Sequence, residues 1–158
     1  MDAIDLLKEQ HEEVRGLFEE LRHTEDPEER ETIFQDIADN LAAHAMIEET
    51  IFYPIAYDHD PKEIEHAIGE HFVMKKLIAD MISLSVEDPS FDASLTVLRE
   101  QVEHHVTEEE DDLFETVRNR IAKPDLLAMG SEMQKLFDDE MEGEPIVRVL
   151  RDVKRPAV

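Results

Sequence analysis

The chain has 158 residues, room for one domain of ordinary size, and 41% of them are apolar, enough for a packed core. Lys and Arg total 16 against 41 Asp and Glu, a formal net charge of −25 that repels phosphate backbones and anionic headgroups, so neither nucleic acid nor a membrane is an expected partner. The absence of cysteine excludes disulfides, thiolate metal sites and iron–sulfur clusters, and any metal must be held by nitrogen and oxygen.

The opening MDAIDLLKEQHEEV has no basic and apolar leader pattern, and no run approaches the roughly 18 apolar residues of a membrane span; a cytoplasmic protein is the expectation. Low glycine and much Glu, Leu, Ile and Ala favour helices. A first helix is predicted over about 2–23, with Ile4, Leu7, Val14, Leu17, Phe18 and Leu21 on one stripe, and Asp26-Pro27 ends it. A second covers about 29–57, with Ile33, Ile37, Leu41, Ile51, Phe52 and Ile55, up to the break at Asp58-His59-Asp60-Pro61. The third, about 62–84, presents Ile64, Ile68, Met74, Leu77, Ile78 and Met81, and Glu87-Asp88-Pro89-Ser90 closes it. The fourth, about 92–121, presents Leu95, Leu98, Val102, Leu113, Val117 and Ile121. Four such helices joined by short loops imply an all-α, up-down-up-down four-helix bundle over 1–122. Residues 123–158 are expected to add a short helix, about 125–141, and a tail that pack on the bundle. The tail carries Arg148, Arg151, Lys154 and Arg155 in an otherwise acidic chain. It is expected either to dock on that acidic surface or to bind a partner or a second copy.

The stripes contain gaps, and histidine fills them. Helical steps of three and four lead from Leu7 to His11, from Leu41 to His44, from Ile68 to His71 and from Val102 to His105. Glu48 and Glu109 follow His44 and His105 by one turn, still in apolar register. The spacing His-x-x-x-Glu occurs elsewhere, at His59/Glu63, His66/Glu70 and His104/Glu108, but those pairs lie off the stripes and are expected on the surface. At about 1.5 Å of rise per residue the six in-register side chains meet near one level. Buried carboxylates without partners cost several kcal/mol or change protonation, roughly on the scale of a lost buried ion pair. A metal is the simplest common partner.

The segments LLKEQHEEV around His11, LAAHAMIEETIFYP around His44, EHFVMKKL around His71 and VEHHVTEEEDDLF around His105 resemble the hemerythrin-like, or HHE cation-binding, family from Asp5 to about Arg120. The resemblance implies two iron ions with an oxo or hydroxo bridge, held by His11, His44, Glu48, His71, His105 and Glu109. Mixed imidazole and carboxylate ligation suits iron, and manganese or zinc is chemically compatible. The oxygen-carrying hemerythrins hold a second histidine four residues before the one on their third helix, where this chain has Ala67. Tyr53 and Glu70 are candidate substitutes, with Glu49 and His66 behind them. Positions left open favour reaction over protected binding. The expected function is therefore binding or conversion of a small oxidant (dioxygen, hydrogen peroxide or nitric oxide) in detoxification or redox handling. An oxygen or iron sensor, a reversible oxygen carrier and an iron store are the alternatives.

Overall fold

The computed structural model describes residues 1–146, Leu150 and Val153; the four basic tail residues, and the reading of them as a docking peptide, lie outside the described residues. Helix α1 is Ala3–Arg22. Helix α2 starts as Pro27–Ile47, widens into a π-helical turn at Glu48–Phe52 and resumes as Tyr53–Ala56. Helix α3 is Pro61–Ile82. Helix α4 repeats the plan of α2, with Pro89–Glu108, a π turn at Glu109–Leu113 and Phe114–Arg120. Helix α5 is Lys123–Glu142. The described residues form the expected helical bundle, α1 packing on α2 and α3 on α4, while α5 lies against α1, α2 and the π turn of α2. None of these helices is long and apolar enough to cross a membrane.

The sequence breaks are also start signals. Asp2, Asp26, Asp60 and Asp88 stand at the N-caps of α1 to α4, and each side chain accepts a backbone N–H of the first turn. Proline follows the last three, at a position whose missing N–H would have no helical partner. Helices α2, α3 and α4 consequently begin earlier than the apolar pattern alone suggests.

Two apolar clusters fill the bundle. One gathers Ile4, Leu7, Phe52, Ala67, Phe114 and Met133, and the other Phe18, Ile37, Ile78, Phe91, Leu98 and Val102. Two expected core residues are corrected: Ile55 and Ile68 are each 42% exposed. The π turn adds a residue to α2, so beyond Glu48 the inward positions become Phe52, Tyr53 and Ala56. On α3 the buried line runs Ile64, Ala67, His71, Met74, which leaves Ile68 on its flank.

At the far end, Gly130 of α5 lies against the chain start. A Cβ there would stand 2.3 Å from the Met1 carbonyl oxygen, so only glycine permits this approach. Asp2, buried beside it, also takes ion pairs from Arg118 at 3.3 Å and from Lys123 at 2.5 Å.

Candidate metal centre

His11 comes from α1, His44 and Glu48 from α2, His71 from α3, and His105 and Glu109 from α4. All six are buried, none more than 7% exposed. They converge as two triads: His11, His44 and Glu109, and Glu48, His71 and His105, each with donor atoms within 4.8 Å of one another. The carboxylates face both triads. Glu48 Oε1 lies 3.0 Å from His44 Nε2 and 3.2 Å from His71 Nε2. Glu109 Oε1 lies 3.4 Å from the Nε2 atoms of both His11 and His105. Each carboxylate could thus serve as a ligand to an ion held at either triad.

The inner atoms fit a cation better than they fit each other. His11 Nε2, His44 Nε2, both oxygens of Glu48 and Glu109 Oε1 are buried and lack a hydrogen bond of acceptable angle. Each such bond left unmade costs about 1–3 kcal/mol. An ion within each triad would satisfy all five atoms.

The outer imidazole nitrogens are fully used. His44 Nδ1 donates to Gln10 Oε1 at 2.7 Å, and His71 Nδ1 to Glu49 Oε2 at 3.0 Å. His105 Nδ1 donates to Glu70 Oε1 and His11 Nδ1 to Glu110 Oε2, both at 3.0 Å. Protons held on Nδ1 leave every Nε2 lone pair aimed at the centre, the tautomer a metal requires. Glu49 is itself held by Lys75 Nζ at 3.0 Å.

Glu70, expected as a substitute ligand, thus does not converge with the six; it turns its carboxylate to the outer nitrogen of His105. Glu49 does the same for His71. Tyr53 does reach the centre. Its hydroxyl donates to Glu109 Oε2 at 2.6 Å and stands 3.2 Å from His71 Nε2 and 3.4 Å from His105 Nε2. It is placed to complete the Glu48, His71, His105 triad, and it shares an apolar cluster with the buried Ala67 of α3. Gln10 and Glu110 were not distinguished in the sequence, and the signal for them is adjacency: each neighbours a candidate ligand.

Without a metal the charges balance among themselves. Burial pushes Glu48 up, but the charge of His44 and the imidazoles of His105 and His71 outweigh it and hold the carboxyl well below its usual range. Burial and Glu48 push Glu109 up, and His105 and His11 bring it below normal. Burial alone would lower His11, His71 and His105; Glu109 and Glu48 raise His11 and His105 instead, and Glu48 with Glu49 raises His71. Burial, then the charges of Glu109 and Glu48, push the Tyr53 hydroxyl well up, so it keeps its proton.

A cavity of ≈ 40 Å³ opens on the centre, lined by the four histidines and by Val14, Leu41, Ala42, Met74, Ile78 and Val102. That is room for a few waters or a diatomic molecule.

Four helices presenting two imidazole–carboxylate triads define a bundle protein built to hold cations. The chain matches the hemerythrin HHE cation binding domain over residues 2–117 and belongs to that family. It is 30% identical over 123 residues to a protein of Nostoc sp. named DNA nickase, a match that spans 77% of this chain and 35% of the relative, about a third of that protein's length. It is 26% identical to an uncharacterized protein of Mycobacterium tuberculosis, over 92% of this chain and 91% of that one. The crystal structure of a hemerythrin HHE cation binding domain-containing protein from Mycobacterium kansasii has the same fold: TM-score 0.84, 23% identity, covering 95% of this chain and 99% of that one.

Proposed function

We propose that this chain is a non-haem di-iron protein that reacts with a small oxidant: dioxygen, hydrogen peroxide or nitric oxide. The observation that carries the proposal is the pair of buried triads whose carboxylates each face both. His11, His44 and Glu109 would hold one ion and Glu48, His71 and His105 the other, with Tyr53 beside the second. Bound iron supplies Lewis acidity and one-electron redox chemistry. The chain's own groups do the rest. Gln10, Glu49, Glu70 and Glu110 keep each imidazole turned inward. The Tyr53 hydroxyl orients Glu109 and holds a proton at the centre. The apolar cavity admits small molecules and excludes larger ones.

Ala67, in place of the carriers' histidine, supports reaction over reversible storage of oxygen. A DNA-nicking role, which the name of the Nostoc relative raises, would require a phosphate backbone to approach a chain of net charge −25.

The test is metal analysis followed by small-ligand chemistry. Protein expressed with ample iron should carry about two irons per chain, bind azide with a new visible band, and consume peroxide over many turnovers. Ala67→His should slow both autoxidation and peroxide turnover. A protein without transition metal would sink the di-iron reading. One that holds oxygen reversibly for hours and ignores peroxide would be a carrier.

A further inference from the structure

Two of the His-x-x-x-Glu pairs set aside as surface residues meet each other. His66 and Glu70 project from α3, and His104 and Glu108 from α4, onto one shared patch outside the buried centre. Each imidazole touches both carboxylates. His66 Nε2 lies 3.3 Å from Glu108 Oε2 and 3.6 Å from Glu70 Oε2. His104 Nε2 lies 3.1 Å from Glu108 Oε1 and 3.6 Å from Glu70 Oε2. One donor atom from each of the four falls within 4.8 Å of the others.

This is more than two ordinary helix-surface ion pairs. An ordinary pair would place one histidine against one glutamate on its own helix, with both free to move in solvent. Here two carboxylates are brought together between two imidazoles, and the carboxylates lie inside. The side chains of Glu70 and Glu108 are 12% and 29% exposed, those of His66 and His104 55% and 62%. Glu108 Oε2 is occluded from solvent and makes no hydrogen bond; it faces His66 Nε2 at 3.3 Å across the cluster.

We propose that His66, Glu70, His104 and Glu108 form a second, solvent-facing site for a single divalent transition-metal ion. Two imidazole nitrogens and two carboxylate oxygens suit zinc, ferrous iron or cobalt, whereas magnesium and calcium prefer oxygen alone. The exposed imidazoles form its mouth, so the ion exchanges with solvent, unlike one buried in the bundle. Glu70 belongs to both places: Oε2 faces this cluster while Oε1 holds His105 Nδ1 at 3.0 Å. The outer ion therefore sits one carboxylate away from an imidazole of the buried centre.

The test counts zinc as a difference. Full-length protein and a His66→Ala/His104→Ala variant are dialysed against a modest excess of zinc, and the metal per chain is measured by elemental analysis. The variant should hold one zinc fewer at unchanged helical circular dichroism, and a His23→Ala/His59→Ala control should hold as many as the parent. Three ions falling to two supports both this site and the buried pair. One falling to none supports this site while the buried centre fails. Equal counts in parent and variant, at any number, overturn the outer site.

Discussion

The four candidate imidazoles are held in place by a closed ring of neighbours. The residue beside the ligand on α1, Gln10, supports His44 of α2; Glu49 of α2 supports His71 of α3; Glu70 of α3 supports His105 of α4; and Glu110 of α4 returns to His11 of α1. No helix can rotate without disturbing the imidazole of the next. Gln10→Leu should leave His44 free to turn or change tautomer and weaken iron binding about 10–100-fold, as read by competition with a chelator. Glu48→Ala and Glu109→Ala should lower tightly held iron more severely, whereas Glu108→Ala should not touch it. If all three variants kept full iron after chelation, the inward carboxylates would not be ligands. The six inward residues were legible because polar side chains interrupted an apolar stripe. The ring was not: Glu49 and Glu70 stood out only as candidate ligands of the centre, and Glu110 looks like any other acid in a chain with 41 of them.

At the scale of elements, the Asp-Pro steps carried both the ends and the beginnings of helices, and each Asp cap contributes about 1 kcal/mol. Asp2 does more, because it joins α1 to α4 and α5. Burial opposes its charge, yet the Asp5 N–H, Lys123 and Arg118 hold it at about 2 against the usual 3.8. A depressed folded value stabilises above the unfolded one and is lost as pH falls, so this contribution is complete above about 3.8 and gone near 2. Asp2→Asn should therefore melt lower than the parent at neutral pH, and the two curves should converge on acidification. A constant gap down to the acid limit would mean that the ion pairs contribute nothing. The π turns were the part of the elements that pattern reading missed. A period of 3.6 residues is assumed constant when stripes are drawn, and Glu109-Glu110-Asp111-Asp112 contains nothing that marks a wider turn. Pro54 hinted at one in α2, since it cannot donate to the turn before it.

For the whole molecule, the centre is a polar layer of four imidazoles and two carboxylates between two apolar clusters. Its height was readable from counting residues between loops, which is why the bundle and the level of the site emerged together from sequence. A metal that binds only the folded chain adds about 4 kcal/mol when free metal exceeds its dissociation constant a thousandfold. Stripping iron at neutral pH should thus lower the melting temperature by many degrees in calorimetry. Coincident curves with and without chelator would show that the six side chains satisfy one another. The stripped protein should still be helical, because both apolar clusters and the aspartate caps remain.

The π turn of α4 also makes chain length count separately from chain chemistry. Phe114 N–H reaches back five residues to the Glu109 carbonyl, so this stretch holds one residue more than a regular helix would use. Deleting the exposed Asp112 would give a tidier helix that loses no apolar group. The chain beyond the gap would keep its phase, because Phe114 would then stand four residues after Glu109 and Val117 seven, both still on the buried face; what would be lost is the wide turn that begins at Glu109. Such a protein should keep its helical circular dichroism and a sharp melt, yet hold metal less tightly, because Glu109 no longer opens a wide turn. Substituting Asp112 by alanine should leave metal binding unchanged. In this segment a deletion acts on the metal centre and a substitution does not, because what holds the turn wide is a residue count.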